Sequence, residues 1–205
     1  MRRVTSILLF LIVSCAGLAA RGASDSIPRV TFGAEWSYCA TFFKGYHHYF
    51  YAPEGFRVDD RGDGFKYFTD GEVYLHCGCN IGSRWNVSAY VGYTGIGDFH
   101  AGIPVSLRAT RFFGQDALKD RWFAYCDIGS GISIKRSPQE LMTAKLGGGY
   151  RLTLSRLTKL DLLASIRFIH THPDIDFYGE SIVEEHVIRN TGYVLSMTFG
   201  IGLTF

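Results

Sequence analysis

The stretch YVLSMTFGIGLTF, residues 193–205, closes the chain on an aromatic residue with no polar tail. From Tyr193 every second residue is bulky and apolar: Leu195, Met197, Phe199, Ile201, Leu203 and Phe205. Between them, after Val194, stand Ser196, Thr198, Gly200, Gly202 and Thr204. An untethered terminus gains nothing from such side chains, so this one is expected to be held in place. A period of two is that of a β-strand with one apolar face and one small or polar face.

The same period recurs upstream, and no convincing 3.6-residue stripe interrupts it. Residues 31–42 set Phe32, Ala34, Trp36, Tyr38, Ala40 and Phe42 against Thr31, Gly33, Glu35, Ser37, Cys39 and Thr41. Residues 72–82 set Val73, Leu75, Cys77, Cys79 and Ile81 against Glu72, Tyr74, His76, Gly78 and Asn80. Segments at 85–94, 103–110, 122–134, 143–154 and 160–170 follow, and the closing stretch makes eight strands. Links after the second and sixth strands are tight and the one after the fourth is modest, whereas 43–71 and 171–190 are long polar-aromatic excursions. This is the plan of an all-β, eight-stranded antiparallel up-and-down barrel, whose closure leaves no sheet edge along its wall.

Size decides which face turns outward. The interior of an eight-stranded barrel is only just wide enough for side chains, and Trp36, Trp85, Trp122, Phe168, Phe199 and Phe205 would not fit there. An apolar exterior makes this a transmembrane barrel of the outer-membrane type, which needs about 9–11 residues per tilted strand. The inward face then carries four acids, Glu35, Glu72, Asp127 and Asp161, and four bases, Arg108, Lys145, Arg151 and Arg167. An unpaired buried charge costs several kcal/mol, so these eight are expected to form a closed network, with Arg108 and Glu72 pairing across the lumen and suppressing conductance. Aromatic girdles are expected from Trp85, Phe112, Trp122 and Phe205 at the periplasmic rim and from Tyr93 and Tyr193 at the outer rim.

Composition agrees with a single domain: 205 residues, 15% aromatic, 24 Gly and 5 Pro exclude disorder and collagen. A net charge of +2, with acids and bases interspersed, shows no basic stripe that would suit nucleic acid. The start, MRRVTSILLFLIVSCAGLAARGASDS, has a basic head, a short apolar run and then small residues. That is the layout of a cleaved signal peptide, taken here as residues 1–23, ahead of a barrel domain at 28–205. A second reading uses IVSC, which resembles a lipobox in which Cys15 would be lipidated rather than removed. In an exported chain the remaining Cys39, Cys77, Cys79 and Cys126 would suggest disulfides. Alternation instead puts Cys39 on the polar face and the other three on the apolar one, and Cys77 and Cys79 stand about 6–7 Å apart along one strand, too splayed to bridge easily.

The signal, the eight amphipathic strands, the balanced inward charges and the terminal MTFGIGLTF resemble the small outer-membrane β-barrel family of Gram-negative bacteria, OmpX-like and OmpA-transmembrane-domain-like. The resemblance covers essentially the whole mature chain. It implies residence in the cell outer membrane as a monomer, contact with outer-membrane lipid and lipopolysaccharide, and insertion by the barrel-assembly machinery through the C-terminal strand. On activity it is silent, because members include structural barrels, adhesins, complement-evasion proteins and two kinds of lipid A-modifying enzyme. The deacylase branch uses His-x-Ser, and none of the seven histidines is followed two residues later by Ser. The palmitoyltransferase branch has an N-terminal amphipathic helix, for which the chain before the first strand is too short, although HTHPD (His170, His172, Asp174) falls at an outer strand end. No catalytic, cofactor-binding or metal-binding residue is therefore assigned, and no cofactor is expected.

The role that follows is structural or surface-interacting, through the outer loops; the rival is an outer-leaflet lipid A-modifying enzyme. Loop 43–71 is the strongest interaction candidate. Tyr46, Tyr49, Phe50 and Tyr51 would face Phe65, Tyr67 and Phe68 across a turn at DDRGDG, in a hairpin that projects beyond the membrane and could hold a surface protein by strand addition. Within that turn Arg61, Gly62 and Asp63 resemble an integrin-binding tripeptide.

Overall fold

Eight antiparallel strands close into a barrel in the computed structural model, which describes residues 28–97, 100–114, 116–134 and 139–205. The expected signal segment 1–23, with Cys15, lies outside the described residues. In chain order the elements are β1 (Val30–Tyr51), β2 (Arg57–Ile81), β3 (Trp85–Gly95), β4 (Ala101–Phe112), β5 (Arg121–Ile134), β6 (Glu140–Thr153) and β7 (Lys159–Thr171). A two-stranded ribbon, β8 (Asp176–Phe177) with β9 (Glu180–Ser181), and a 3-10 turn (Glu184–His186) precede the last wall strand, β10 (Val187–Thr204). Wall strands pair with their sequence neighbours, and β10 closes the ring between β7 and β1.

The terminal stretch is the closure strand. Phe32 N donates to the Phe205 carbonyl at 3.1 Å, Phe205 N donates to the Phe32 carbonyl at 2.8 Å, and the two rings stack at 5.7 Å. Connections at this periplasmic end are short. The β2–β3 turn passes through Gly82 at φ +69°, a conformation that only glycine adopts without strain.

Burial inverts the order of a soluble protein. The wall shows large apolar side chains outward, among them Trp36, Leu75, Ile128, Leu146 and Phe168, while Glu35, Glu72, Ser106, Arg108, Asp127, Lys145, Arg167 and Thr198 are buried inside. Acyl chains offer no hydrogen bonds, so the backbone must pair with itself and polar groups must turn inward. The interior is crowded enough that a Cβ on Gly149 would lie 2.1 Å from the Leu162 carbonyl oxygen and 2.5 Å from the Phe123 ring.

Two expectations need correction. Phe112 does not join the periplasmic girdle. It follows Arg108 and Thr110 at a period of two, which turns it inward, 2% exposed, into a cluster with Phe123, Tyr125 and Leu163. Its neighbour Phe113 takes the outward position, beside Trp85 and the Arg111 guanidinium. Of the other girdle residues, Trp85, Trp122 and Phe205 are exposed at the periplasmic end, Tyr93 is exposed near the outer end, and Tyr193 is half-buried against Phe43.

The second correction concerns the projecting hairpin, which turns at residues 52–56 rather than at DDRGDG. Gly55, at φ +88°, donates to the Ala52 carbonyl, and Ala52 N donates to that of Phe56. DDRGDG is instead mid-strand in β2, with Asp59 opposite Tyr49, Arg61 opposite His47 and Asp63 opposite Gly45. A β-bulge between Thr41 and Phe43 lets the alternation of β1 change phase, so that Phe43 points outward toward Tyr193. The projection is three-stranded, because β10 continues alongside β1 to the pair Phe50–Val187.

Candidate functional site

Side chains fill the lumen in layers. Near its middle Arg108 of β4 is buried between two carboxylates: it donates to Glu35 of β1 at 2.5 and 3.2 Å and to Asp127 of β5 at 3.1 and 3.2 Å. The rings of Tyr90 and Tyr125 stand 4.0 and 4.3 Å from its guanidinium carbon. Toward the outer end Glu72 accepts from Lys145 Nζ at 2.6 Å and from Arg167 Nη1 at 3.3 Å, and Arg167 also reaches Thr94 and Ser196. Toward the periplasm Arg151 grips Asp161 with two hydrogen bonds of 2.7 and 2.6 Å.

All eight charges assigned to the lumen thus have partners, but the expected Arg108–Glu72 pair does not form. Strand height explains the exchange. Arg108 lies level with Asp127 on the adjacent strand, whereas Glu72 pairs with Thr94 in the upper ladder and meets Lys145 and Arg167 there. Glu35–Arg108, Glu72–Lys145 and Glu72–Arg167 each join strands that are not ladder neighbours, so they brace the barrel across its lumen.

Above these layers the inward face becomes apolar. Ile96, Leu141, Ile169 and Val194 are fully buried there, with Tyr46 and Phe68 packed against them. The period-two pattern continues through this region, but the inward residues no longer differ from the outward ones in polarity, which hid the plug from sequence reading. Below it a cavity of about 20 Å³ is lined by Glu35, His76, Tyr90 and Arg108, room for a water rather than a solute.

The outer projection is the other feature. From Glu72 downward β2 pairs with β3, but among the described residues 57–71 have only β1 as ladder partner. Phe65 is 85% exposed and Tyr67 75% exposed on this edge, with Phe65 edge-on to Phe43, which stacks on Tyr193. Further out His47, Asp59 and Arg61 form a polar cluster. Arg61 donates to both oxygens of Asp59, at 2.9 and 2.7 Å, and His47 Nε2 is 3.0 Å from Oδ1. The Arg61 hydrogen bonds hold the Asp59 carboxyl down at about 2. The ribbon supports the inner side of the projection, with Phe177 packing on Phe50 and Phe56.

The histidines at the rim are dispersed. His100 Nε2 lies 3.1 Å from Asp174, His172 Nδ1 is 3.2 Å from the Glu140 carbonyl, and His170 meets His172 edge-on. Among the described residues no group of three His, Cys, Asp or Glu side chains could hold a metal ion. Cys39 is buried, Cys77 and Cys126 are exposed on the wall, and with Cys79 all carry unbridged thiols.

No protein-family model matches the sequence, and no curated protein matches it closely enough to count as a relative. Solved structures do match. The outer membrane protein OprG from Pseudomonas aeruginosa aligns at a TM-score of 0.57 and 10% identity over 86% of this chain and 96% of that one. By fold, the chain is an eight-stranded barrel like those of small outer-membrane proteins. The N-terminal barrel domain of Pseudomonas aeruginosa OprF (TM-score 0.40, 15% identity, 83% of this chain and 97% of that one) and Neisserial surface protein A (TM-score 0.40, 10% identity, 85% and 97%) also match, at scores too low to add to that argument. The barrel's own apolar belt agrees, and its eight wall strands each contain 11 or more residues, enough to cross a bilayer at a tilt.

Proposed function

We propose that this barrel is a non-catalytic outer-membrane protein that acts through its outer projection, as a surface-interaction module on a closed, rigid anchor. The observation that carries the reading is the single-sided edge of β2 over residues 57–67, with exposed Phe65 and Tyr67 at its base. An extended edge offers a row of backbone donors and acceptors to a partner strand, with side-chain pockets at alternate positions for selectivity. Asp59, Asp60, Arg61 and Asp63 on that edge discourage pairing with a second copy, which supports a monomer. The Arg61-Gly62-Asp63 tripeptide, held in an extended strand with Arg61 engaged by Asp59, has little freedom to act as a loop ligand. Lipopolysaccharide would pack around Phe43, Phe65 and Tyr193, and the barrel-assembly machinery would meet the strand ending at Phe205.

The test compares cells displaying the intact barrel with cells displaying one in which residues 43–67, the whole edge with Phe65 and Tyr67, are replaced by a two-residue turn, on a panel of immobilised surface and matrix proteins. Attachment that depends on the projection is the expected result, and equal attachment across the panel would sink the reading. The rival, a lipid A-modifying enzyme, has the His100–Asp174 pair in its favour, at the outer rim where such chemistry would occur. A lipid A mass spectrum from a strain lacking the protein separates the two: an unchanged acyl pattern is expected here, and a changed one supports the enzyme.

A further inference from the structure

At the periplasmic mouth the charge balance of the lumen breaks. Arg121, Arg151, Arg156 and Lys159 line one site at the rim, with a water-sized space of about 30 Å³ that opens to solvent past the exposed Arg156, Leu157 and Phe205. Asp161 answers them with both oxygens, but gives both to Arg151. Arg121 and Lys159 turn to neutral acceptors instead: Arg121 Nη1 donates to the Ser83 carbonyl at 2.7 Å, and Lys159 Nζ donates to the Ser155 carbonyl at 2.8 Å. Asp116 and Asp120 nearby are engaged by Lys119 and by the Thr153 N–H. Among the described residues, none of Arg121, Arg156 and Lys159 has a carboxylate within 4.0 Å.

Arg121 is the least expected of these. It is 6% exposed, and its Nε is buried with no acceptor. Its guanidinium carbon lies 3.9 Å from the centre of the Phe112 ring, and that of Arg151 lies 4.5 Å from the same ring. The shared ring softens the repulsion between the two guanidinium groups but supplies no counter-charge. Its Nε thus keeps a hydrogen-bonding position that an added acceptor beside it, water or anion, would fill.

The donor set indicates which group. Guanidinium forks suit the oxygens of a phosphate, and an ammonium adds a point charge from another side. Leu157 and Phe205 line the same site and are well exposed, at the level where the girdle marks the edge of the hydrocarbon. We propose that the periplasmic mouth is a phosphate-binding site, built by Arg121, Arg151, Arg156 and Lys159, that takes inorganic phosphate or the phosphodiester of an inner-leaflet phospholipid.

The test uses the mature barrel refolded in zwitterionic micelles and titrated with inorganic phosphate at constant ionic strength, with sodium chloride making up the balance. Backbone amide shifts of residues 116–121 and 153–159 report the mouth. Saturable shifts are expected in the native protein, with half-saturation at least tenfold higher in R121Q/K159Q and unchanged in R57Q on the outer projection. Should R121Q/K159Q fail the heat-modifiability gel, R156Q/K159Q, which leaves the buried guanidinium in place, is expected to show the same weakening. Phosphatidylglycerol added to the micelles separates the sources. Shifts of the same amides that phosphate then cannot extend assign the lipid, and a phosphate curve unaffected by the lipid assigns the free anion. Shifts that never saturate, or one half-saturation shared by the native protein and both mouth variants, would overturn the proposal.

Discussion

At the scale of single residues, Arg108 shows how tightly the interior is determined. It serves two carboxylates and lies between two tyrosine rings, so its loss strands Glu35 and Asp127 in a space that water barely enters. Removing one partner of a buried ion pair costs on the order of 3–5 kcal/mol, and Arg108→Leu is expected to lower stability by that amount in a urea titration of the refolded barrel. A loss below about 1 kcal/mol would mean that the cluster is hydrated or rearranges. Asp59 offers a second check, in water rather than in the lumen. Its carboxyl titrates at about 2 against an ordinary 3.8, chiefly through the Arg61 hydrogen bonds. A depressed folded value means that the local ordering it contributes is complete above about pH 4 and is lost as pH falls through 2. Carbon-detected NMR of Asp59 should show that low midpoint, and Arg61→Ala should move it up toward the unperturbed value; an unmoved midpoint would remove Arg61 as the cause. The identities of the lumen charges were legible, because a period of two assigns a face. The pairing was not, because which acid meets which base depends on strand height and tilt across the lumen. Phe112 shows the limit at a strand end, where Phe112 and Phe113 are adjacent aromatics and only the phase carried from Arg108 tells them apart.

At the scale of elements, the projection and the wall follow different rules. In the wall each strand has two ladder neighbours, but above the pair Glu72–Thr94 the β2 strand has one. Shortening the projection by replacing residues 49–59 with a two-residue turn should therefore leave the barrel's heat-modified gel shift and urea midpoint essentially unchanged. A collapse of either would mean that the projection is part of the folding core. That β1 and β2 outrun the membrane was legible in their aromatic content, since Tyr46, Tyr49 and Phe50 continue a strand-forming composition past the point where a wall strand should end. The position of the turn was not. DDRGDG has the composition of a turn, yet the chain turns at Ala52–Gly55, where Pro53 and the positive φ of Gly55 are compatible with a tight reversal. Tertiary pairing with β1 overrode the local preference of the aspartates and glycines. The bulge near Phe42 added to the difficulty, because it resets the face of every residue beyond it.

At the scale of the whole molecule, the lumen is closed twice, by braced ion pairs and by the apolar plug of Ile96, Leu141, Ile169 and Val194. Reconstituted in a planar bilayer, the barrel is expected to show no stable single-channel conductance for small ions; steady unitary steps would show that the charge layers part. A wall of this kind gives a rigid platform and leaves specificity to what projects from its ends, which is where both proposals of function lie. Alternation along the chain was enough to assign a membrane-spanning wall, its strand count and its two faces, because alternation is a local property and eight strands leave no room inside for tryptophan. The partners of the lumen charges, the outer plug, the single-sided edge of β2 and the surplus of cations at the periplasmic mouth emerge only in the closed barrel. Each of those depends on which residues of distant strands come to the same height, and that is set by the tilt and register of the closed sheet rather than by any one segment.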